Sequence, residues 1–466
     1  MLFSSIPFLF YFLPIVFILY FAVPKKLKNL VLLVTSLVFY GWGEPVYLFL
    51  MLAAITLGYV LGLLIEKHRG TPLAKLYLTL SVAVSVGMLG YFKYADFFIS
   101  NFNAVTGLSV GLLNIALPIG ISFYTFQILS YTIDVYRGDV AAQRNPITLG
   151  AYIAMFPQLI AGPIVRYRDV EVQLRERTHS IEKAAYGARR FIIGLSKKLL
   201  IANVLGELCD AYGRSDDLSV LFSWLYAIAF ALQVYFDFSG YSDMAIGLGS
   251  IFGLKFMENF NYPYISASIT EFWRRWHISL GSWFRDYVYI PLGGNRVPKI
   301  CWLRNIFVVW MLTGFWHGAA WNFVIWGLYF AVMLLIEKLW LLEHLKKSKI
   351  LSHIYVLFFV IVSFVIFNAS SMSDAFLCIR NMLGFGGIPF ASAEGIYYLR
   401  SYAVVLVAGI VGATPLAVRA TEKLRQSRGG AVFLTIAEPV VLAALLLVGT
   451  AYLVDGSFNP FLYFRF

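Results

Sequence analysis

The chain has 466 residues, 60% of them hydrophobic and 13% charged, with a mean hydropathy of +0.75. A soluble domain carries about 25% charged residues, so a water-soluble globular protein is excluded and a polytopic membrane protein is indicated. The net charge of +12 follows from Lys and Arg gathering in cytoplasmic loops and gives no reason to expect nucleic acid as a partner.

Apolar runs with the length to cross a bilayer, about 20 residues each, recur from end to end. Candidate spans are 6–23, 30–42, 47–65, 76–91, 117–136, 149–164, 184–205, 221–236, 244–254, 306–315, 321–342, 354–367, 398–411 and 433–452. The first lacks a basic n-region and a small-residue cleavage site, so it reads as a retained helix. Several are too short, or too interrupted by Gly and Pro, to cross alone. The expectation is an all-α protein with about 11 crossings plus re-entrant or interfacial helices, which need shielding by protein. No polar stretch is long enough to fold a soluble domain. The chain reads as one membrane-embedded domain over 1–466, with N-terminal helices in 1–110, a core of broken helices in 111–325 and C-terminal helices in 326–466.

Basic loops set the orientation. Lys25, Lys26 and Lys28, then Lys67, Arg69 and Lys75, then Lys346, Lys347 and Lys349, and finally Arg419 to Arg428 all fall on one side if the N-terminus is outside. The same count puts Arg274, Arg275, Arg296, Lys299 and Arg304 toward the cytoplasm and His317 toward the outer face or the membrane interior, so the two ends of the 271–322 stretch point at opposite compartments.

Broken segments lie between the flanks. Met155-Phe156-Pro157-Gln158-Leu159-Ile160-Ala161-Gly162-Pro163 suits a re-entrant turn, because proline removes a helical hydrogen bond. Arg189, Arg190, Lys197 and Lys198 recur among apolar residues, the pattern of an amphipathic interfacial helix. In Tyr235-Phe236-Asp237-Phe238-Ser239-Gly240-Tyr241-Ser242-Asp243, Gly240 is expected to break the helix between the two carboxylates.

The candidate chemistry lies in 271–322. Glu271-Phe272-Trp273-Arg274-Arg275-Trp276-His277 leads to Trp283-Phe284-Arg285-Asp286-Tyr287, to Gly293-Gly294-Asn295-Arg296, and to Gly314-Phe315-Trp316-His317-Gly318-Ala319. Polar groups kept in apolar surroundings within a membrane are usually functional. A neutral imidazole at His317 can take a proton from a hydroxyl near pH 7, and the small residues after it leave room for a substrate. The competing reading is a histidine that bonds a backbone carbonyl and ties two helices together. His277 could orient a carbonyl, bond a developing oxyanion or anchor the broken helix. The remaining histidines, His68, His179, His344 and His353, sit in or beside basic loops and read as solvated.

Arg274, Arg275 and Arg285 suit a phosphate-bearing donor, since the guanidinium fork matches phosphate, though contact with lipid headgroups is the commoner role for such arginines and the favoured one. The glycine-rich run lacks the Lys-Ser/Thr of a P-loop. Asp237 and Asp243 could serve a proton path, but pairing with Arg274, Arg275 or Arg285 is the simpler role. Cys209, Cys301 and Cys378 have neither CxxC nor Cys/His spacing, so no disulfide framework or metal site is expected.

Taken together, the chain resembles the membrane-bound O-acyltransferases, and within them the bacterial alginate O-acetyltransferase branch. The resemblance runs from Phe3-Ser4-Ser5 through Ser36-Leu37-Val38-Phe39-Tyr40-Gly41-Trp42, Pro118-Ile119-Gly120-Ile121-Ser122-Phe123-Tyr124 and 237–247 to the Asn459-Pro460-Phe461 ending, and is strongest over 272–296 and 312–321. It implies a ring of transmembrane helices around a thin centre crossed by a tunnel. It assigns the catalytic histidine to His317 and the second signature position to His277. Trp273, Arg274, Arg275, Trp276, Arg285, Asp286, Trp316 and Asn322 complete the expected substrate-binding set.

The resemblance further implies an acyl thioester donor, acetyl-CoA or a carrier-protein thioester, with no bound cofactor or metal. The acceptor would be a polysaccharide hydroxyl, served by an extracytoplasmic hydrolase-like (SGNH) acetyltransferase partner, and the location the plasma or inner membrane. D-alanyl transfer to teichoic acid, and a transporter that moves an acyl carrier or glycan without covalent chemistry, are the alternatives. The inverted repeat a transporter would predict is not visible.

Overall fold

The computed structural model describes residues 3–455 and 461–462; Asn459 and Pro460 of the expected C-terminal motif lie outside the described residues. Among the described residues every regular element is helical. Two compact units interleave along the chain: one takes residues up to Phe191 with Met244–Met257, the other Ile192–Asp243 with Glu258 onward.

The first unit contains α1 (Pro7–Ala22), α2 (Lys28–Gly43), α3 (Tyr47–Lys67), α4 (Pro72–Thr106), α5 (Ile121–Arg137), α6 (Pro146–Ala154) and α7 (Tyr167–Arg175). Small residues set the close approaches, as in membrane helix packing generally. A Cβ on Gly62 of α3 would come within 2.7 Å of the Tyr131 ring of α5. Phe3, Phe8, Phe39 and Phe156 pack edge to face and stacked, with ring centroids 4.6–6.3 Å apart. The proline-broken stretch after α6 holds only the short helix Phe156–Leu159, and it is buried throughout.

Next come α8 (Ile181–Ser196), a π-helical stretch Lys197–Ala202, α9 (Asn203–Arg214) and α10 (Val220–Ile251). Here two expectations are corrected. α10 runs through Gly240 without a break. Glycine stands there because a side chain would meet the neighbouring turn: a Cβ would lie 2.7 Å from the Gly194 carbonyl oxygen. Lys198, expected on an interfacial face, is instead buried, with its ammonium 2.5 Å from Asp237; Lys197 lies 2.6 Å from Asp243. Both carboxylates pair with these lysines and not with the arginines of the 271–322 stretch.

The second unit continues with α11 (Ile269–Arg275), α12 (Ile278–Phe284), α13 (Lys299–His317), α14 (Trp321–Leu345), α15 (Lys349–Asn368), α16 (Met372–Met382), α17 (Ala393–Ser401), α18 (Ala403–Gly412), α19 (Leu416–Arg425) and α20 (Arg428–Asp455). Serine opens four of them: Ser268, Ser348, Ser371 and Ser392 each accept a backbone N–H from the first turn, the usual N-cap arrangement.

Among the described residues six helices have the length and apolarity to cross a membrane, or seven if bent α17 and α18 form one span. Other apolar helices are shorter: α2 has 16 residues and α5 has 17.

Candidate active site

α11 and α12 are two short helices separated by a sharp turn at His277, whose φ of 46° and ψ of 53° are left-handed. Such a conformation costs a non-glycine residue about 1–3 kcal/mol and persists where its surroundings enforce it. The segment just before α11 does so. Ile278 donates its N–H to the Asn259 carbonyl at 3.0 Å, and Asn261 donates to the Arg275 carbonyl at 2.9 Å. The buried Glu337 carboxylate on α14 secures the start of α11, accepting from the backbone N–H of Ile269 and Thr270 and from the Thr270 hydroxyl. Negative charge is favourable at a helix N-terminus.

The His277 side chain is 1% exposed. Its Nδ1 lies 3.2 Å from Asn259 Oδ1, and the ring stands edge-on to Phe238 with centroids 4.6 Å apart. Burial first, and then the neighbouring His317 ring, hold the His277 imidazole well below the usual histidine range.

His317 is the last residue of α13. Its ring packs against Trp316 at 5.0 Å, Trp326 at 5.1 Å and Phe367 at 5.3 Å, and lies 6.5 Å from the His277 ring. The α13–α14 hairpin that presents it is drawn tight by two glycines. A Cβ on Gly314 would overlap the Phe323 carbonyl, and one on Gly327 the Trp310 carbonyl. The space beside Gly318, expected to admit substrate, is filled by the Phe323 ring. That glycine serves packing.

Two cavities meet these rings. A large one of about 620 Å³ is lined by Trp273, Arg274, His277, Arg285 and Lys338 among others. A small one of about 20 Å³ is lined by His317, Trp276, Asp237, Trp326, Phe367 and Leu462 among others; it is big enough for one water. His317 therefore borders a cavity.

The expected substrate-binding residues divide accordingly. Trp273, Arg274 and Arg285 line the large cavity and Trp276 the small one. Trp316 packs against both imidazoles, 5.8 Å from His277 and 5.0 Å from His317. Asp286 pairs with Arg285 at 2.7 Å. Two others are committed to backbone or to a neighbouring charge. Arg275 binds Glu271 and the Asn261 carbonyl, and Asn322 donates its amide to the carbonyls of Phe367 and Ala369 at 3.0 and 3.2 Å. Neither lines either of the two cavities.

Sequence reasoning missed Asn259, Ser279, Glu337 and Lys338, which are single polar residues in separate segments with no shared spacing. His179 and His353, expected to be solvated, are half-buried, with His179 3.0 Å from the Tyr20 hydroxyl and His353 3.0 Å from the Ser266 carbonyl.

Residues 141–373, which contain both histidines, match the model of the MBOAT, membrane-bound O-acyltransferase family. The chain is also 42% identical to the probable alginate O-acetylase AlgI of Azotobacter vinelandii, over 100% of both chains. The chain belongs to the membrane-bound O-acyltransferase family. This O-acyltransferase is a multi-pass membrane protein. It is 35% identical to the peptidoglycan O-acetyltransferase of Helicobacter pylori, over 83% of this chain and 81% of that one. Its likeness to the teichoic acid D-alanyltransferase of Bacillus subtilis, 33% identical, covers 46% of this chain and 58% of that one. The His277 turn and the α13–α14 hairpin both fall inside the family's matched region.

Proposed function

We propose that this enzyme takes an acetyl group from a cytosolic thioester, acetyl-CoA or a carrier-protein thioester, and delivers it across the inner membrane for O-acetylation of a cell-surface or secreted polysaccharide of the alginate kind. The observation that carries this reading is the pair of imidazoles 6.5 Å apart, one bordering a large cavity with Arg274, Arg285 and Lys338 on its wall and the other a small cavity. Guanidinium and ammonium groups suit the phosphates of a coenzyme A or phosphopantetheine donor. The thioester carbonyl would then lie near His277, and an acceptor hydroxyl would approach His317.

The chemistry balances without a cofactor. The hydroxyl oxygen attacks the thioester carbonyl carbon while His317 takes its proton. The tetrahedral adduct collapses with loss of thiolate, and the proton held by His317 passes to the sulfur. Assistance by a general base contributes typically about 10²–10⁴-fold in rate. The acceptor hydroxyl belongs to the polysaccharide or to an extracytoplasmic hydrolase-like acetyltransferase that completes the transfer. The N-terminus is taken to be outside, from the distribution of basic loops.

Full-length similarity to a probable alginate O-acetylase, against partial similarity to a teichoic acid D-alanyltransferase, favours acetyl over D-alanyl transfer. Family membership favours an enzyme over a transporter. The test is turnover of radiolabelled acetyl-CoA by the purified full chain, together with O-acetyl content of the cell-surface polysaccharide. His317→Ala should insert and fold but lose both activities. Full O-acetylation by that variant would remove His317 from the mechanism, and turnover only of a carrier-protein thioester would reassign the donor.

A further inference from the structure

Nδ1 of the His277 ring faces oxygen on two sides. Asn259 Oδ1 lies at 3.2 Å and Ser279 Oγ at 3.5 Å. The same Asn259 oxygen also accepts the Ser279 backbone N–H at 3.1 Å and the Ser279 hydroxyl at 2.8 Å. A backbone N–H can only donate, so the side-chain atom it meets is the amide oxygen; turning the amide over would set NH₂ against N–H. The Ser279 hydroxyl has a single proton, already given to Asn259, and so presents lone pairs to the imidazole. Two acceptors thus converge on one ring nitrogen.

That nitrogen must carry a proton. We infer that Asn259 is a positioning residue that holds His277 as the tautomer with hydrogen on Nδ1 and the lone pair on Nε2. In a histidine the bond made by one ring nitrogen decides the protonation of the other. Asn259 is well anchored for this task. It is 0% exposed, and its own carbonyl receives the Ile278 N–H, so one residue fixes both the left-handed backbone at His277 and the ring's proton.

The consequence bears on the reaction and rests on the proposed role of His277 in acyl transfer. A neutral imidazole with bare Nε2 accepts a hydrogen bond and cannot donate one from that nitrogen. His277 therefore does not stabilise an oxyanion through Nε2. Instead it accepts a hydrogen bond from an N–H of the donor, for instance a pantetheine amide, and orients the thioester that way.

Magic-angle-spinning NMR of the full chain in liposomes, with nitrogen-labelled histidine, reads the tautomer without any substrate. The His277 signal is the one lost in His277→Gln. The expected result is a protonated Nδ1 and a bare Nε2. Asn259→Ala should shift that signal toward the other tautomer or a mixture. Asn259→Asp keeps the acceptor for Ser279 and so preserves the local fold, while its charge should raise the His277 pKa by about one to three. A wild-type ring protonated on Nε2 would overturn the inference. So would an Asn259→Asp chain whose His277 titrates where the wild type does. Undiminished acetyl transfer by His277→Gln would instead defeat the catalytic reading of His277 and leave the tautomer result standing.

Discussion

The carboxylate of Asp237 holds the Lys198 ammonium at 2.5 Å and the Leu462 backbone N–H at 2.9 Å, and the same aspartate lines the small cavity beside His317. A buried ion pair thus supports the wall of that cavity and ties Leu462 to α10. The two side chains are 2% and 3% exposed. Removing one partner from such a pair leaves an uncompensated charge and costs about 3–5 kcal/mol, whereas replacing both by apolar groups is often close to neutral. Lys198→Met should therefore lower the midpoint of thermal unfolding in detergent sharply, and Lys198→Met with Asp237→Leu should recover most of it. Equal losses in the single and double variants would show that the pair is not coupled.

Arg274 is exposed and lines the large cavity. A hydrogen bond to a charged group contributes about 1.5–3 kcal/mol, so Arg274→Ala should raise KM for a thioester donor by about tenfold or more with little change in kcat. Steady-state kinetics with acetyl-CoA separates the two. A fall in kcat at constant KM would place Arg274 in the chemical step and not in donor binding.

His277 supplies a pH dependence of known sign. Its folded-state pKa is lowered by burial and by His317, so the folded chain keeps the ring neutral where the unfolded chain, with a histidine pKa of about 6.5, takes up a proton. The stability this contributes is present above about pH 6.5 and is lost as pH falls toward the folded value. The drop in unfolding midpoint between pH 7.5 and 5.5 should be smaller in His277→Gln than in the wild type. An identical drop in both would contradict a depressed pKa.

Gly314 and Gly87 make a matched pair. A methyl group at Gly314 would overlap the Phe323 carbonyl across the α13–α14 hairpin, while one at Gly87 in α4 would meet nothing within 4 Å. Gly314→Ala should destabilise by about 1–3 kcal/mol through overpacking and should also reduce activity, because the hairpin carries His317. Gly87→Ala should stabilise by about 0.5–1 kcal/mol, the helical preference for alanine. Thermal unfolding of the two variants side by side measures both, and stabilisation by Gly314→Ala would disprove the tight approach.

The amino-acid sequence by itself determined the membrane character, the all-helical class and the family, and it put His277 and His317 forward as candidates, because these follow from hydropathy summed along the chain and from motifs read within short windows. Boundaries were legible as well: the expected 47–65 span is the helix Tyr47–Lys67, and 6–23 is Pro7–Ala22. Only the tertiary structure decided which polar groups meet. Asp237 finds Lys198 and not an arginine, Gly240 admits a neighbouring turn instead of ending a helix, and Asn259 reaches His277 across a chain reversal. Each of these depends on the distance between segments remote in sequence. A hydrogen bond or ion pair forms only within a few ångströms, and no spacing along the chain encodes that proximity.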